Sequence, residues 1–234
     1  MIRLDKYLCS VGLGSRENAK KLIRNGRITV EGQSFLKAET KIDENAAVFL
    51  DGERLQYRKF VYLVFHKPAG VLTAKSDARE KTVFDLIESQ VPDLSPVGRL
   101  DKDTEGLLLF TNDGALAHRL LSPKSKIPKT YYLRTDTPIA PDAAEKLLQP
   151  IEFSDFTSKP AVLQVLSGNE AKITVTEGRF HEVKRLLHAV GSDVTYLKRI
   201  AFGPLLLGDL PLGACREVTE EELEALRGIK EETA

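Results

Sequence analysis

Hydrophobic positions at the start of the chain recur at the spacing of two short helices. Leu4, Leu8 and Val11 fall on one helical face, and glycines follow them directly. Ser15 is placed to cap a second helix, which Gly26 ends. The pattern predicts two consecutive helices that each bury one face.

Short strands are predicted after these helices. Apolar and polar residues alternate at 28–30, and the apolar run 46–50 meets Asp51-Gly52, a pair typical of a tight hairpin turn. Residues 56–60 then form the predicted connection to a larger unit.

From residue 61 onward the pattern changes to strands separated by turns and short helices. The predicted strands lie at 61–65, 107–111, 130–134, 162–166 and 173–176. The predicted helices lie at 82–89, 114–121, 179–190 and from the capping box at Thr219 onward. In the helix predicted over 179–190, Phe180 and Val183 fall on the apolar face.

Strands outnumber helices in this part of the chain without regular βαβ alternation. The pattern therefore predicts an α+β fold with a mixed, largely antiparallel sheet. We expect two domains, a small helical and β domain over residues 1–58 and a larger one over 59–234.

The composition is that of an ordinary globular protein, with 42% hydrophobic and 29% charged residues among 234. No apolar run approaches the roughly 20 residues of a membrane span, and the start lacks the layout of a signal peptide, so we expect a cytoplasmic protein without membrane contact. The net charge is formally zero, but residues 1–36 carry seven basic and three acidic side chains, and residues 217–232 carry two basic and seven acidic. The basic N-terminal region is compatible with a phosphate-binding face or with a solvated helix surface.

Neither a metal site nor a disulfide framework is indicated by the cysteines and histidines. Cys9 and Cys215 stand at opposite ends of the chain, and the four histidines are widely spread. From the residues alone we therefore expect no metal site.

The densest cluster of chemically active residues is the turn-like segment 98–106, which stands directly before an apolar strand. Asp101, Asp103 and Glu105 match the opening of an EF-hand calcium loop, but Asn112 occupies the position of the closing Glu, which argues against calcium. Two interpretations stay open from the residues alone: a charged surface loop, or a loop that carries one catalytic carboxylate.

Several motifs occur in one order along the chain and together resemble the signature of the RsuA family of pseudouridine synthases. These motifs are His66-Lys67-Pro68-Ala69-Gly70, Gly98-Arg99-Leu100-Asp101 with Thr104-x-Gly106-Leu107-Leu108, Lys129-Thr130-Tyr131, and residues 177–185. His66 replaces the family's usual Asn, and Glu182 its usual Gln. Residues 1–52 are similar to the small RNA-binding domain named after ribosomal protein S-four. The shared order makes chance agreement improbable.

This resemblance implies isomerisation of a uridine within RNA, in which the base is detached from its ribose, turned and rejoined through ring carbon five. It assigns to Asp101 the role of catalytic carboxylate, to Tyr131 stacking on the base and assistance to a proton transfer, and to Lys184 the pairing with Asp101. It implies no cofactor, since no electron is transferred and nothing is hydrolysed.

The resemblance also implies residues that contact RNA. In the catalytic domain these are Arg99, which would help displace the extruded nucleotide, together with Arg179 and Arg185. In the N-terminal domain they are Arg3, Lys6, Ser15, Arg16, Lys20 and Arg24.

The expected substrate is small-subunit ribosomal RNA or an assembly intermediate that contains it, acted on by a monomer. Two alternatives remain: an enzyme acting on large-subunit ribosomal RNA, and an RNA-binding protein without catalysis in which Asp101 is a loop carboxylate.

Overall fold

The computed structural model describes residues 1–34, 36–87, 91 and 93–230. The backbone divides into two compact units. The first comprises Met1–Val61 with the described part of Glu88–Ser95, and the second comprises Tyr62–Ile87 with the described part of Pro96–Ala234.

Within the described residues the secondary structure consists of short strands and short helices. The strands are β1 (Ile2–Arg3), β2 (Ile28–Val30), β3 (Lys41–Ile42), β4 (Val48–Leu50), β5 (Glu53–Arg54), β6 (Tyr62–Lys67), β7 (Ser95–Pro96), β8 (Glu105–Thr111), β9 (Lys129–Thr135), β10 (Val162–Ser167), β11 (Glu170–Val175), β12 (Val194–Phe202), β13 (Leu205–Leu206) and β14 (Cys215–Glu217). The α-helices are α1 (Leu4–Ser10), α2 (Arg16–Arg24), α3 (Gly114–Leu121), α4 (Ala143–Leu147), α5 (Glu182–Ala189) and α6 (Glu220–Gly228). Single 3₁₀ turns lie at Val83–Asp85 and Pro123–Ser125.

The first unit packs α1 and α2 over a small sheet, as the hydrophobic spacing predicts. Ser15 caps α2, because its Oγ accepts a hydrogen bond from the backbone N–H of Asn18 at 3.3 Å. Strands β2, β4 and β5 form an antiparallel sheet, and β1 pairs with β3. Leu4 and Leu8 of α1 are fully buried in this core together with Ile28.

The second unit is built on a mixed sheet with the strand order β10-β11-β9-β12-β8-β6-β14 and with β13 paired to β12. The pairs along this order are antiparallel except β12 with β8, which run parallel. One apolar cluster packs helices against part of the sheet and includes residues of β6, β8, α3 and α6. The expected α+β class with a largely antiparallel sheet is confirmed.

The parallel contact between β8 and β12 depends on a glycine. Gly106 has φ +117°, and a Cβ built on it would lie 2.3 Å from the carbonyl oxygen of Arg199. Only glycine allows both that backbone conformation and that close approach. The glycine of the Thr104-x-Gly106 motif therefore permits the contact between the two strands.

Several elements differ from the expectation. The helix predicted over 82–89 is a single 3₁₀ turn, Val83–Asp85, in its described part, and residues 88 and 89 lie outside the described residues. The helix predicted over 179–190 begins only at Glu182, because His181 adopts a left-handed conformation at φ +53°. Strand β12 was not predicted, and neither were the short elements β7, α4, β13 and β14.

Within the described ranges, no helix has both the length and the apolar character needed to cross a membrane.

Candidate active site

A cavity of about 320 Å³ opens in the second unit, at the loop that precedes β8. Residues of the loop 97–101 line it, together with residues 175–179 and 181–184. Strands β9 and β12 contribute further lining residues, among them Tyr131 and Arg199. Segments distant in sequence therefore meet around one open cavity.

The loop that carries Asp101 is held by a buried cation. The Lys67 side chain is fully buried, and its Nζ donates to the carbonyl oxygens of Asp101 at 3.0 Å and Thr104 at 2.9 Å, among others. Burial lowers the pKa of Lys67 to about 8. The Thr73 hydroxyl adds a second tie, since it donates to the carbonyl of Leu100 at 2.9 Å and accepts from the N–H of Leu100 at 3.2 Å. The loop backbone is therefore rigidly placed.

Two nitrogen-bearing side chains lie beside the Asp101 carboxylate. Lys184 Nζ lies 3.6 Å from Asp101 Oδ2, and His181 Nε2 lies 3.7 Å from the same oxygen. The Asp101 side chain is 28% exposed, so the carboxylate is accessible from the cavity. The expected meeting of Asp101 and Lys184 is present in the structure, and His181 is an additional neighbour that the sequence did not indicate.

Lys184 is shared between two carboxylates. Its Nζ donates to both oxygens of Asp103, at 2.6 and 2.7 Å, and this contact is shorter than the one to Asp101. Partial burial raises the pKa of Asp103, but the hydrogen bond and charge of Lys184 outweigh it, so the net pKa is below its ordinary value. Asp103 thus positions the ammonium group beside Asp101.

Tyr131 is a buried residue of β9 that lines the cavity. Its neighbour Tyr132 does not line the cavity, since its ring packs against Tyr196 at a centroid distance of 6.0 Å and its hydroxyl accepts from Arg134 Nε at 3.1 Å. The alternation of side chains along β9 therefore presents one tyrosine ring to the site.

A second group of charged residues, Glu182, Lys129 and Arg199, lines the same cavity. Glu182 is only 5% exposed, and burial raises its pKa to about 7, while one of its oxygens accepts from the Arg179 N–H at 3.1 Å. Burial also lowers the pKa of Lys129 to about 8. Buried Arg199 donates through Nε to the Leu107 carbonyl at 2.7 Å, and its Nη2 finds no acceptor among the described residues. Sequence reasoning missed Arg199, because it lies on the unpredicted strand β12.

The three arginines expected to contact RNA in this unit are placed differently. Arg99 and Arg179 are exposed and line the cavity. Arg185 is not part of the lining: its Nη1 donates to Asp155 Oδ2 at 3.0 Å, and its guanidinium lies over the Phe153 ring at 4.5 Å. The RNA contact expected of Arg185 stays a prediction.

The residues expected to contact RNA in the first unit lie on β1 and on or beside α1 and α2. Arg3 donates to both oxygens of the buried Asp5, at 3.0 and 2.7 Å, which lowers the pKa of that carboxyl. Ser15 is engaged as the cap of α2. The remaining cations are exposed: Lys6, Arg16, Lys20 and Arg24.

Comparison with known protein families gives two matches along the chain. Residues 61–189 match the model of the RNA pseudouridylate synthase family, and residues 2–55 match the S4 domain model. The first match contains Asp101, Tyr131 and Lys184.

Individual relatives align over nearly the full length. An uncharacterized RNA pseudouridine synthase of Bacillus subtilis (strain 168), YtzG, is 41% identical, with 96% of this chain and 98% of the relative covered. Ribosomal small subunit pseudouridine synthase A of Escherichia coli (strain K12) is 37% identical, with 95% and 98% covered. A crystal structure of a pseudouridylate synthase superposes with a TM-score of 0.68 at 31% identity, covering 97% of this chain and all of that chain. With these full-length likenesses, the chain belongs to the RNA pseudouridylate synthase family and is a pseudouridine synthase of the RsuA type, an isomerase that acts on RNA.

Proposed function

We propose that the chain converts one specific uridine of small-subunit ribosomal RNA to pseudouridine and that Asp101 is the carboxylate that carries the reaction. The observation on which this rests is the convergence of Asp101, Lys184 and Tyr131 on a single cavity. The choice of small-subunit RNA is supported by relatives named ribosomal small subunit pseudouridine synthase A, at 37% identity.

The reaction requires few groups from the protein. The bond between ribose C1′ and uracil N1 breaks, a bond between C1′ and C5 forms, the hydrogen of C5 is lost and N1 gains a proton, so no atom or electron is gained overall. In this proposal Asp101 acts as nucleophile or base, Lys184 supplies the compensating charge, and Tyr131 stacks on the uracil. A cavity of about 320 Å³ accommodates a single extruded nucleotide, which requires that the target base leaves its helix.

The surroundings of Asp101 favour it, rather than the neighbouring Asp103 or Glu105, as the reactive carboxylate. Asp103 is bound through both oxygens to Lys184, and Glu105 is engaged by His66 Nε2 at 3.0 Å and Lys198 Nζ at 3.3 Å. Asp101 has only longer contacts, 3.6 Å to Lys184 Nζ and 3.7 Å to His181 Nε2, and stays accessible from the cavity. A carboxylate that is anchored less tightly is better placed to react.

The test compares Asp101→Asn with the wild-type protein on unmodified transcripts of both ribosomal RNAs. Wild type is expected to form pseudouridine at one position of the small-subunit transcript, and the variant to be at least about 10³-fold slower while binding RNA equally. Asp209→Asn, the same change at an exposed carboxylate outside the cavity lining, is the control and is expected to keep full activity.

Each alternative gives a different result in this assay. Modification of the large-subunit transcript alone would select the other ribosomal target. Binding by the wild type without any pseudouridine would indicate a non-catalytic protein. Full turnover by Asp101→Asn would remove that residue from its proposed role.

A further inference from the structure

We propose that Phe180 and His181 form a stacking platform for the nucleobase that neighbours the target uridine in the RNA. The inference rests on the family's action on RNA, and it holds whichever ribosomal subunit carries the target.

The two rings already form a stack in the protein. The Phe180 and His181 ring centroids are 3.8 Å apart, with an angle of 19° between the ring planes. This separation is close to the roughly 3.4 Å per nucleotide along a nucleic-acid strand. One more ring added to the free face of Phe180 would continue the stack at nearly the same spacing.

The free face of Phe180 is unusual for an aromatic residue of a globular domain. Its side chain is 75% exposed, although phenylalanine is ordinarily among the more buried residues. The hydrophobic spacing predicted this ring on the apolar face of a helix, but the helix begins two residues later. An exposed aromatic ring beside a site that acts on RNA is the kind of surface on which unpaired bases stack.

The local backbone directs the pair away from the core. His181 has φ +53° and ψ 28°, a left-handed conformation that costs a non-glycine residue about 1–3 kcal/mol. A helical conformation here would continue α5 backward and turn Phe180 toward its apolar face. The observed turn keeps Phe180 in solvent and His181 in the cavity wall.

The platform is continuous with the reaction site. His181 Nε2 lies 3.7 Å from the Asp101 carboxylate, and the Phe180 ring stacks on the imidazole. Arg179, directly before Phe180, is exposed and lines the cavity, so it offers a cation to the phosphate that joins the two nucleotides. When the target base enters the cavity, the adjacent base loses a stacking partner and can regain one on Phe180.

The chain contains no tryptophan, which makes a direct optical test possible. Phe180→Trp places a single indole on the platform, and Leu206→Trp places one on another exposed apolar position, 63% exposed and outside the cavity lining. Both variants are titrated with unmodified transcripts of each ribosomal RNA. RNA binding is expected to quench the indole at position 180 and to leave that at 206 unchanged. Equal quenching at the two positions would overturn the proposal. So would a loss of indole fluorescence at position 180 that follows the protein concentration and occurs without RNA.

A kinetic comparison supplies the second measurement. Phe180→Leu keeps an apolar side chain without a ring and is expected to weaken RNA binding and raise KM by about 5-fold to 150-fold, with kcat nearly unchanged. Phe180→Tyr keeps the ring and should restore the wild-type KM. Both variants should unfold at the wild-type temperature, because the side chain is exposed.

The outcomes separate stacking from a role in chemistry. A fall in kcat with unchanged KM in Phe180→Leu would mean that the ring acts through His181 on the reaction, and wild-type binding by this variant would exclude stacking. The fluorescence titration needs no turnover. A failure of Asp101 as the catalytic carboxylate would therefore leave its result intact.

Discussion

Glu182 is a buried carboxyl group whose ionisation opposes folding. Its pKa is raised from 4.5 to about 7, first by burial and then by the nearby Glu177, against the opposing effects of the Arg179 N–H and the charge of Lys129. A difference of about 2.5 between the folded and unfolded pKa values corresponds to about 3 kcal/mol. As the pH rises, the Glu182 carboxyl ionises in the unfolded chain before it ionises in the folded protein. The free energy of unfolding is therefore about 3 kcal/mol higher below about pH 4.5 than above about pH 7.

Glu182→Gln removes the ionisation while leaving an amide oxygen that can accept from the Arg179 N–H. We expect wild type and variant to have similar stability at pH 5, and the variant to gain roughly 2 kcal/mol on wild type by pH 7.5, or about 4–8 °C in Tm. Lys129 has a pKa of about 8 and is still mostly protonated at pH 7.5 in both proteins, so the difference between them reports mainly the ionisation of Glu182.

The assay is urea or thermal unfolding at constant ionic strength across pH 5 to 7.5. Glu224→Gln, at an exposed position of α6, is the matched control and should change the free energy of unfolding by less than about 0.5 kcal/mol at every pH. If the free energies of unfolding of Glu182→Gln and wild type differ by the same amount at every pH in this range, the buried carboxyl does not ionise between pH 5 and 7.5.

Two further predictions concern the β8–β12 contact and the N-terminal cations. Gly106→Ala introduces a Cβ 2.3 Å from the Arg199 carbonyl at a φ of +117°, so it should destabilise the protein by about 2–6 kcal/mol, whereas Gly168→Ala, which meets no atom within 4 Å, should have little effect in the same unfolding experiment. A stable Gly106→Ala protein would show that the strands can separate at no cost. Replacing both Lys20 and Arg24 of α2 by Ala should weaken binding to a ribosomal RNA transcript and lower the slope of log K against log salt by about 1–2, and an unchanged slope would exclude phosphate contacts there.

The elements that were predicted well have local causes. Helices α2, α3 and α6 begin where a Ser, Asp or Thr side chain accepts a hydrogen bond from a backbone N–H of the first turn, and these caps are visible in the sequence. The hairpin at Asp51-Gly52 joins β4 to β5 for a similarly local reason.

The elements that were missed depend on distant residues. Strand β12 contains the adjacent charged residues Lys198 and Arg199, and the sequence pattern assigned no element to it. In the fold β12 lies between β8 and β9, and Arg199 is buried there. The missing side chain of Gly106 allows the Arg199 backbone to approach, and the Leu107 carbonyl accepts a hydrogen bond from Arg199 Nε. Phe180 has the spacing of a buried helical residue, but the left-handed turn at His181 excludes it from the helix.

The sequence by itself determined the order of the motifs, the α+β class, the family resemblance and the pairing of an S4-type domain with a synthase domain. The tertiary structure decided which charges meet. Asp103 and Lys184 are 81 positions apart, yet they are in contact, and the same ammonium group stands 3.6 Å from Asp101. Caps and turns form between neighbours along the chain, whereas electrostatic interactions depend on distances through space, which the sheet register and the packing of α5 set only once the chain has folded.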